Sequence, residues 1–260
     1  MKRTQIMLAC ALVLALASVT TLRSAEEGLK EGKATVRAIH GTVEYLDNGA
    51  WLPAKVNMKF APGITIRTGA DGMADVSVNG LSSAVRLTNN TVLQIPTMSF
   101  VGSAREGDTT TMLNLETGSI IGNVKKITQN SRYEIMTPHG VAGIRGTDFA
   151  VEVIKLDNIN FRVTFDSITG VITVSAVING QTVTRTLTTG MSWTIGEEVK
   201  RLKAEIIEDY QRQIDQLIRT ILGPIFIEPG HRHPFPPPPF PGGPPQGRPP
   251  GGPPQGPPAS

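Results

Sequence analysis

The sequence predicts an all-β domain, a sandwich, jelly roll or short β-roll, followed by one amphipathic helix and a disordered Pro-rich tail. Three observations lead there. From Ala34 to Ile195, short runs of alternating apolar and polar residues are punctuated by Gly and Asn turn signals. After Gly196 the apolar spacing changes from two to three-and-four. Beyond Gly223 the chain holds 16 of its 20 prolines. The expected organisation is a signal peptide over 1–25, a β domain over 34–195, a helix over 196–223 and a Pro/Gly-rich tail over 224–260.

The chain opens with Lys2 and Arg3 ahead of an uncharged run from Ile6 to Val19, closed by Thr20, Thr21 and Arg23. A short basic start, an apolar core of about a dozen residues and small residues near the exit describe a secretory signal peptide. Cleavage fits after Ala17 or near Ser24 and Ala25. The run is shorter than the roughly 20 apolar residues that span a bilayer, so no stable membrane span is expected after cleavage. Cys10 lies before most of the apolar run, which argues against lipid attachment. It is the only cysteine, so the processed chain would carry no disulfide, thiolate nucleophile or cysteine metal ligand. The expected location is periplasmic or extracellular.

The formal net charge of +3 leaves with Lys2, Arg3 and Arg23, because the leader contains no acid. No clustered positive face remains to neutralise phosphates, and nucleic acid is not an expected partner.

The β domain reads in order. Ala34 to His40 meets Gly41, Thr42 to Leu46 meets Asp47-Asn48-Gly49, and Trp51 and Leu52 follow. Asn-Gly suits a tight hairpin because both residues accept positive φ. Ile64 to Arg67, Met73 to Val78, Ala84 to Leu87 and Thr91 to Ile95 come next, the last ending at Pro96. Ala74, Val76 and Val78 share one face against Asp75 and Ser77 on the other. Met112 to Glu116 precedes Gly118, which turns the chain into Ser119 to Val124; Ser131 to Met136 leads to the break at Thr137-Pro138-His139-Gly140. A strand with Phe149, Val151 and Val153 on one face follows, then Asn160 to Asp166, Val171 to Ile178, Asn179-Gly180, Gln181 to Leu187 and a short strand through Trp193.

In the helix, Val199, Leu202, Ile206, Ile207, Tyr210, Ile214, Leu217, Ile218, Ile221 and Leu222 form an apolar stripe, Glu197 and Glu198 favour its start, and Gly223-Pro224 ends it. The stripe packs on the β domain or pairs with a second copy, a homo-oligomer through 197–222. The tail's Gly-Gly-Pro-Pro-Gln-Gly units read as a spacer, and Pro236 to Pro239 between Phe235 and Phe240 as an alternative recognition motif.

Signs of catalysis are weak. His40, His139 and Asp148 have no Gly-x-Ser-x-Gly elbow beside them, and no glycine loop followed by Lys offers a phosphate cradle. His231 and His233 lie in the proline-rich tail without a neighbouring carboxylate. No enzyme activity, metal or cofactor is expected. Arg145 and Asp148 are read as a structural clamp across a bend at Gly146.

The run Thr137-Pro138-His139-Gly140-Val141-Ala142-Gly143-Ile144-Arg145-Gly146-Thr147-Asp148-Phe149-Ala150-Val151 resembles the signature of FecR-type domains, a TP-x-G turn followed by V-R-G-T-x-F-x-V. Gly41-Thr42-Val43, Pro62-Gly63, Ile66-Arg67-Thr68-Gly69 and Leu115-Glu116-Thr117-Gly118 are similar as well, so the resemblance covers roughly Ala34 to Val174. It marks Pro138, Gly140, Gly143, Arg145, Gly146, Thr147, Asp148 and Phe149 as structural motif residues. It implies a β-rich module outside the cytoplasm. The best-known member, the ferric citrate regulator, couples an outer-membrane receptor to a cytoplasmic sigma factor through a cytoplasmic segment and a membrane helix. Only five residues precede the apolar run here, so that segment is not expected and sigma-factor contact is not carried over. The resemblance implies a non-enzymatic cell-envelope module that binds or scaffolds an envelope protein or polysaccharide; the alternative is an extracytoplasmic regulatory sensor acting through a separate membrane partner.

Overall fold

The computed structural model describes residues 28–223, apart from 81, 104–106 and 126. The leader, the Pro-rich tail and the His231 and His233 pair lie outside the described residues.

Among the described residues, eighteen strands precede one helix: β1 (Lys30–Glu31), β2 (Ala34–His40), β3 (Val43–Asp47), β4 (Ala50–Pro53), β5 (Lys59–Phe60), β6 (Ile64–Thr68), β7 (Met73–Val78), β8 (Ser83–Leu87), β9 (Val92–Val101), β10 (Asp108–Val124), β11 (Arg132–Met136), β12 (Gly140–Ile144), β13 (Asp148–Lys155), β14 (Phe161–Thr169), β15 (Val171–Ile178), β16 (Gln181–Thr188), β17 (Met191–Thr194), β18 (Lys200–Arg201) and α1 (Ala204–Leu222). Asn48 and Gly49, Asn79 and Gly80, and Asn179 and Gly180 all take the positive φ that tight turns require.

The strands form two layers that share β10. In the first layer the order is β4-β3-β6-β9-β10-β11-β12-β15-β16, with β1 beside β9. In the second it is β5-β2-β7-β8-β10-β13-β14-β17-β18. The first half of β10 therefore lies between β9 and β11, and the second half between β8 and β13. The change of layer falls at Gly118, with φ +90° and a register shift between Leu115 and Thr117. A Cβ there would lie 2.4 Å from the Thr91 Cα, so only glycine fits. Gly118 thus bends one continuous strand, where the sequence reads as a turn between two.

Pro96 likewise fails to end its strand. The β6 ladder ends at Ile95, opposite Ile64, and Pro96 falls at the register shift of the β10 ladder, between the pairs Gln94–Asn114 and Thr97–Met112, with no Cα partner in either ladder. A proline missing its N–H is tolerated at such a gap.

The core lies between the layers. Ile66, Leu93, Leu113, Leu115, Ile135, Ile172 and Leu187 of the first layer meet Val76, Val85, Ile120, Phe149, Val151, Phe165 and Trp193 of the second, all essentially inaccessible. The other face of the second layer is also covered. Ile207, Tyr210, Ile214 and Ile218 of α1 pack on Ile121, Ala150 and Ile168, and Leu217, Ile221 and Leu222 pack on Ala84. The stripe that would build a coiled coil through 197–222 is occupied by the protein's own sheet.

The helix starts at Ala204, later than the boundary near Gly196 read from the sequence. Lys200 and Arg201 extend the second layer by pairing with Ser192 and Met191, and the Leu202 N–H donates to the Gly190 carbonyl. These backbone bonds hold the segment extended, and Glu197 binds Lys200 at 2.7 Å away from any helix start. Glu205 occupies the first turn and Arg219 the last, each matched to the helix dipole, and Gly223 closes the end with φ +74°.

Candidate protein-contact site

The motif residues lie on the β11–β12 turn, along β12 and on the crossing from β12 to β13. Thr137 ties the turn: its N–H and Oγ1 donate to the Gly140 carbonyl at 2.9 and 2.8 Å, and the Gly140 N–H donates back to Oγ1 at 3.1 Å. Pro138 and His139 form the tip, where His139 packs edge-on to Phe161 at 5.8 Å. Gly140 is crowded, since a Cβ would lie 3.0 Å from the Ile195 Cδ1 and 3.1 Å from the Ser175 carbonyl. Gly143 is not: a Cβ would meet only the Thr173 carbonyl, at 3.8 Å.

Gly146 has φ +66° where the chain changes layers. Thr147 is buried; its backbone exchanges two hydrogen bonds with Val124, and its Oγ1 donates to the Val171 carbonyl at 3.0 Å. Phe149 points into the core beside Tyr133 and over Gly122, where an added Cβ would lie 2.4 Å from the ring. The motif therefore joins the end of β10 to β13 and β15 by shape.

The clamp is built differently from the sequence reading. Arg145 is exposed and makes no ion pair with Asp148 among the described residues. Asp148 instead accepts from Asn123 Nδ2 at 2.6 Å and Thr169 Oγ1 at 2.8 Å, and its N–H donates to Thr169 Oγ1. Two neutral donors from flanking strands hold the carboxylate, while Arg145, one residue beyond β12, is exposed to solvent.

Two polar clusters beneath α1 escaped the sequence reading. Asp75 and Arg86 are 1% and 3% exposed and form a bidentate pair at 2.8 and 2.9 Å, and Arg86 also donates to Gln216 of α1 at 3.1 Å. Tyr210 of α1 donates its hydroxyl to Asp166 at 3.1 Å. Burial pushes the Asp166 carboxyl above its ordinary range, against the lowering pull of bonds from Ser192 and Tyr210. Glu152 is raised as well, by burial first and then by the Asp166 charge. The available signal was the alternation of Asp75 and Ser77 on a strand whose second face turns out to be covered.

His40 ends β2 in the second layer and His139 precedes β12 in the first, and among the described residues the Asp148 carboxylate is bonded to Asn123 and Thr169 rather than to either. Among the described residues no three His, Asp or Glu side chains gather as a metal site would need. Nor is any helix among them long and apolar enough to cross a membrane. What the motif turn does border is a shallow, open groove of about 340 Å³, lined by Pro138, His139, Val141, Ala176, Val177 and Thr182 among others. Val141 and Val177 are exposed there, 38% and 64%.

The class is thus a two-layer β domain with a covering helix and a groove beside its motif turn. Residues 64–168, from β6 into β14, match the family described as FecR protein. The chain is similar over part of its length to two crystal structures of a candidate anti-sigma factor from Parabacteroides distasonis ATCC 8503. One has 15% identity and a TM-score of 0.44, covering 56% of this chain and 64% of that one. The other has 14% identity and a TM-score of 0.43, covering 56% and 63%. The chain thus spans less than two thirds of the length of those proteins. No curated protein matches it.

Proposed function

We propose that this chain is a regulatory sensor outside the cytoplasm, working by protein contact rather than catalysis and acting through a separate membrane partner. The observation that carries the reading is the FecR match over residues 64–168, which favours a sensor over the scaffolding role that the sequence also allows. The geometry agrees with it: the motif residues Gly140, Gly146, Thr147, Asp148 and Phe149 build a rigid crossing, and the adjoining groove is shallow and mostly apolar.

Crosslinking the full chain in intact envelopes, followed by affinity capture, tests the reading. Recovery of an inner-membrane regulatory protein is expected. Recovery of wall or surface polymer alone would replace sensing with scaffolding.

A further inference from the structure

The two layers end in strands of very different length. In the second layer the end strands β5 and β18 have two residues each, and in the first layer β4 has four and ends in Pro53. Short strands and proline are the usual protection of a sheet margin. β16 lacks both. It is eight residues long, pairs with β15 in unbroken register from Gln181 to Thr188, and no described strand pairs with its other side. Most of its residues are exposed, leaving a row of main-chain donors and acceptors open to pairing.

Two features say what fits there. Arg185 is the only charged residue of β16; it lies opposite buried Val174, yet is itself exposed, and its guanidinium makes a single 3.4 Å bond to the adjacent Thr184 carbonyl. In the register that sets Arg185 opposite Arg185, a second copy pairing antiparallel at this edge would bring two cations together with no acid between them, which disfavours that self-pairing. An acidic residue on an incoming strand would meet the cation directly. The second feature is the groove beside the motif turn, which reaches Thr182 near the start of β16. Thr182 lies on the opposite face from Arg185, three positions away.

We propose that the free edge of β16 captures an extended segment of a partner protein as an added antiparallel strand, with an acidic residue against Arg185 and an apolar residue three positions later leaning over Thr182 toward Val177. Main-chain bonds would supply affinity, and these two side chains the selectivity. The identity of that partner as a regulator rests on the sensor reading; the strand-capture surface does not.

The probe is a fluorescent nine-residue peptide of alternating Thr and Val carrying a Glu with a Phe three residues after it, and a counterpart with Lys in place of Glu. The full chain should bind the Glu peptide with hydrogen-exchange protection confined to residues 181–188. Arg185→Glu should weaken that binding at least about tenfold and prefer the Lys peptide, since reversing one close charge pair changes both attraction and repulsion. No binding by the parent chain, protection elsewhere, or binding blind to the charge swap would overturn the proposal. If envelope capture recovers the same regulator equally with parent and Arg185→Glu chains, the edge proposal falls and the sensor stands. If the charge swap holds but no regulator is recovered, the sensor reading falls and the edge stands.

Discussion

Replacing Asp75 with Ala should be among the most damaging single changes in the domain. The carboxylate is 1% exposed and holds Arg86, 3% exposed, through two hydrogen bonds of 2.8 and 2.9 Å. Removing it leaves a buried guanidinium whose remaining bond goes to neutral Gln216. Breaking a buried pair by deleting one partner costs about 3–5 kcal/mol, because the other charge stays desolvated and uncompensated. With a urea slope of about 3 kcal/mol/M, the unfolding midpoint should fall by about 1 M or more. Trp193, buried in the core, reports the transition by fluorescence. Replacing both partners, Asp75→Leu with Arg86→Met, should recover most of the loss, since an apolar pair of similar volume needs no compensation. The reasoning fails if Asp75→Ala leaves the midpoint unchanged, or if the double variant is as unstable as the single one.

Arg145→Met should change stability by less than about 0.5 kcal/mol in the same unfolding assay, as exposed side chains without partners usually do, whereas Asp148→Ala should cost about 1–3 kcal/mol through its lost bonds to Asn123 and Thr169. Equal losses for the two would restore the Arg145 clamp. Gly118→Ala should destabilise by at least about 2 kcal/mol, because the site combines positive φ with a backbone clash; a variant with parental stability would show that β10 does not bend there. Asp166 favours its protonated form in the folded state, so its contribution is fully present below the ordinary carboxyl range and is lost as pH rises through the raised value. Asp166→Asn keeps an acceptor for Tyr210 and should flatten that part of the stability profile, gaining most near neutral pH; an identical profile in parent and variant would refute it.

The strand-and-turn pattern was legible because each Asn-Gly turn and each alternating run is a local signal, and so was the helix from its stripe. The layers were not. Nothing local to Thr117-Gly118 shows that it bends one strand rather than turning between two; Thr91 across the sheet makes the difference. Pro96 reads as a stop because its missing N–H matters only where a partner needs it. Asp75 and Ser77 read only as the polar face of β7, because alternation cannot reveal that a helix more than a hundred residues later covers that face. The motif at Thr137 to Phe149 was visible as a signature, but its working contacts, Asn123 and Thr169 on Asp148 and Gly122 under Phe149, come from strands that only the fold brings together.

The placement of β10 in both layers bears on the order in which the chain can fold. Synthesised from its N-terminus, the polypeptide completes β2 to β9 while β8 and β9 both still lack the neighbour that β10 provides. At about 5–20 residues per second, the interval before Val124 follows Val101 is on the order of seconds. For that time two apolar half-sheets stand open together, and neither can be finished without the other. A shortened chain ending before Asp108 would be an aggregation hazard rather than a smaller domain.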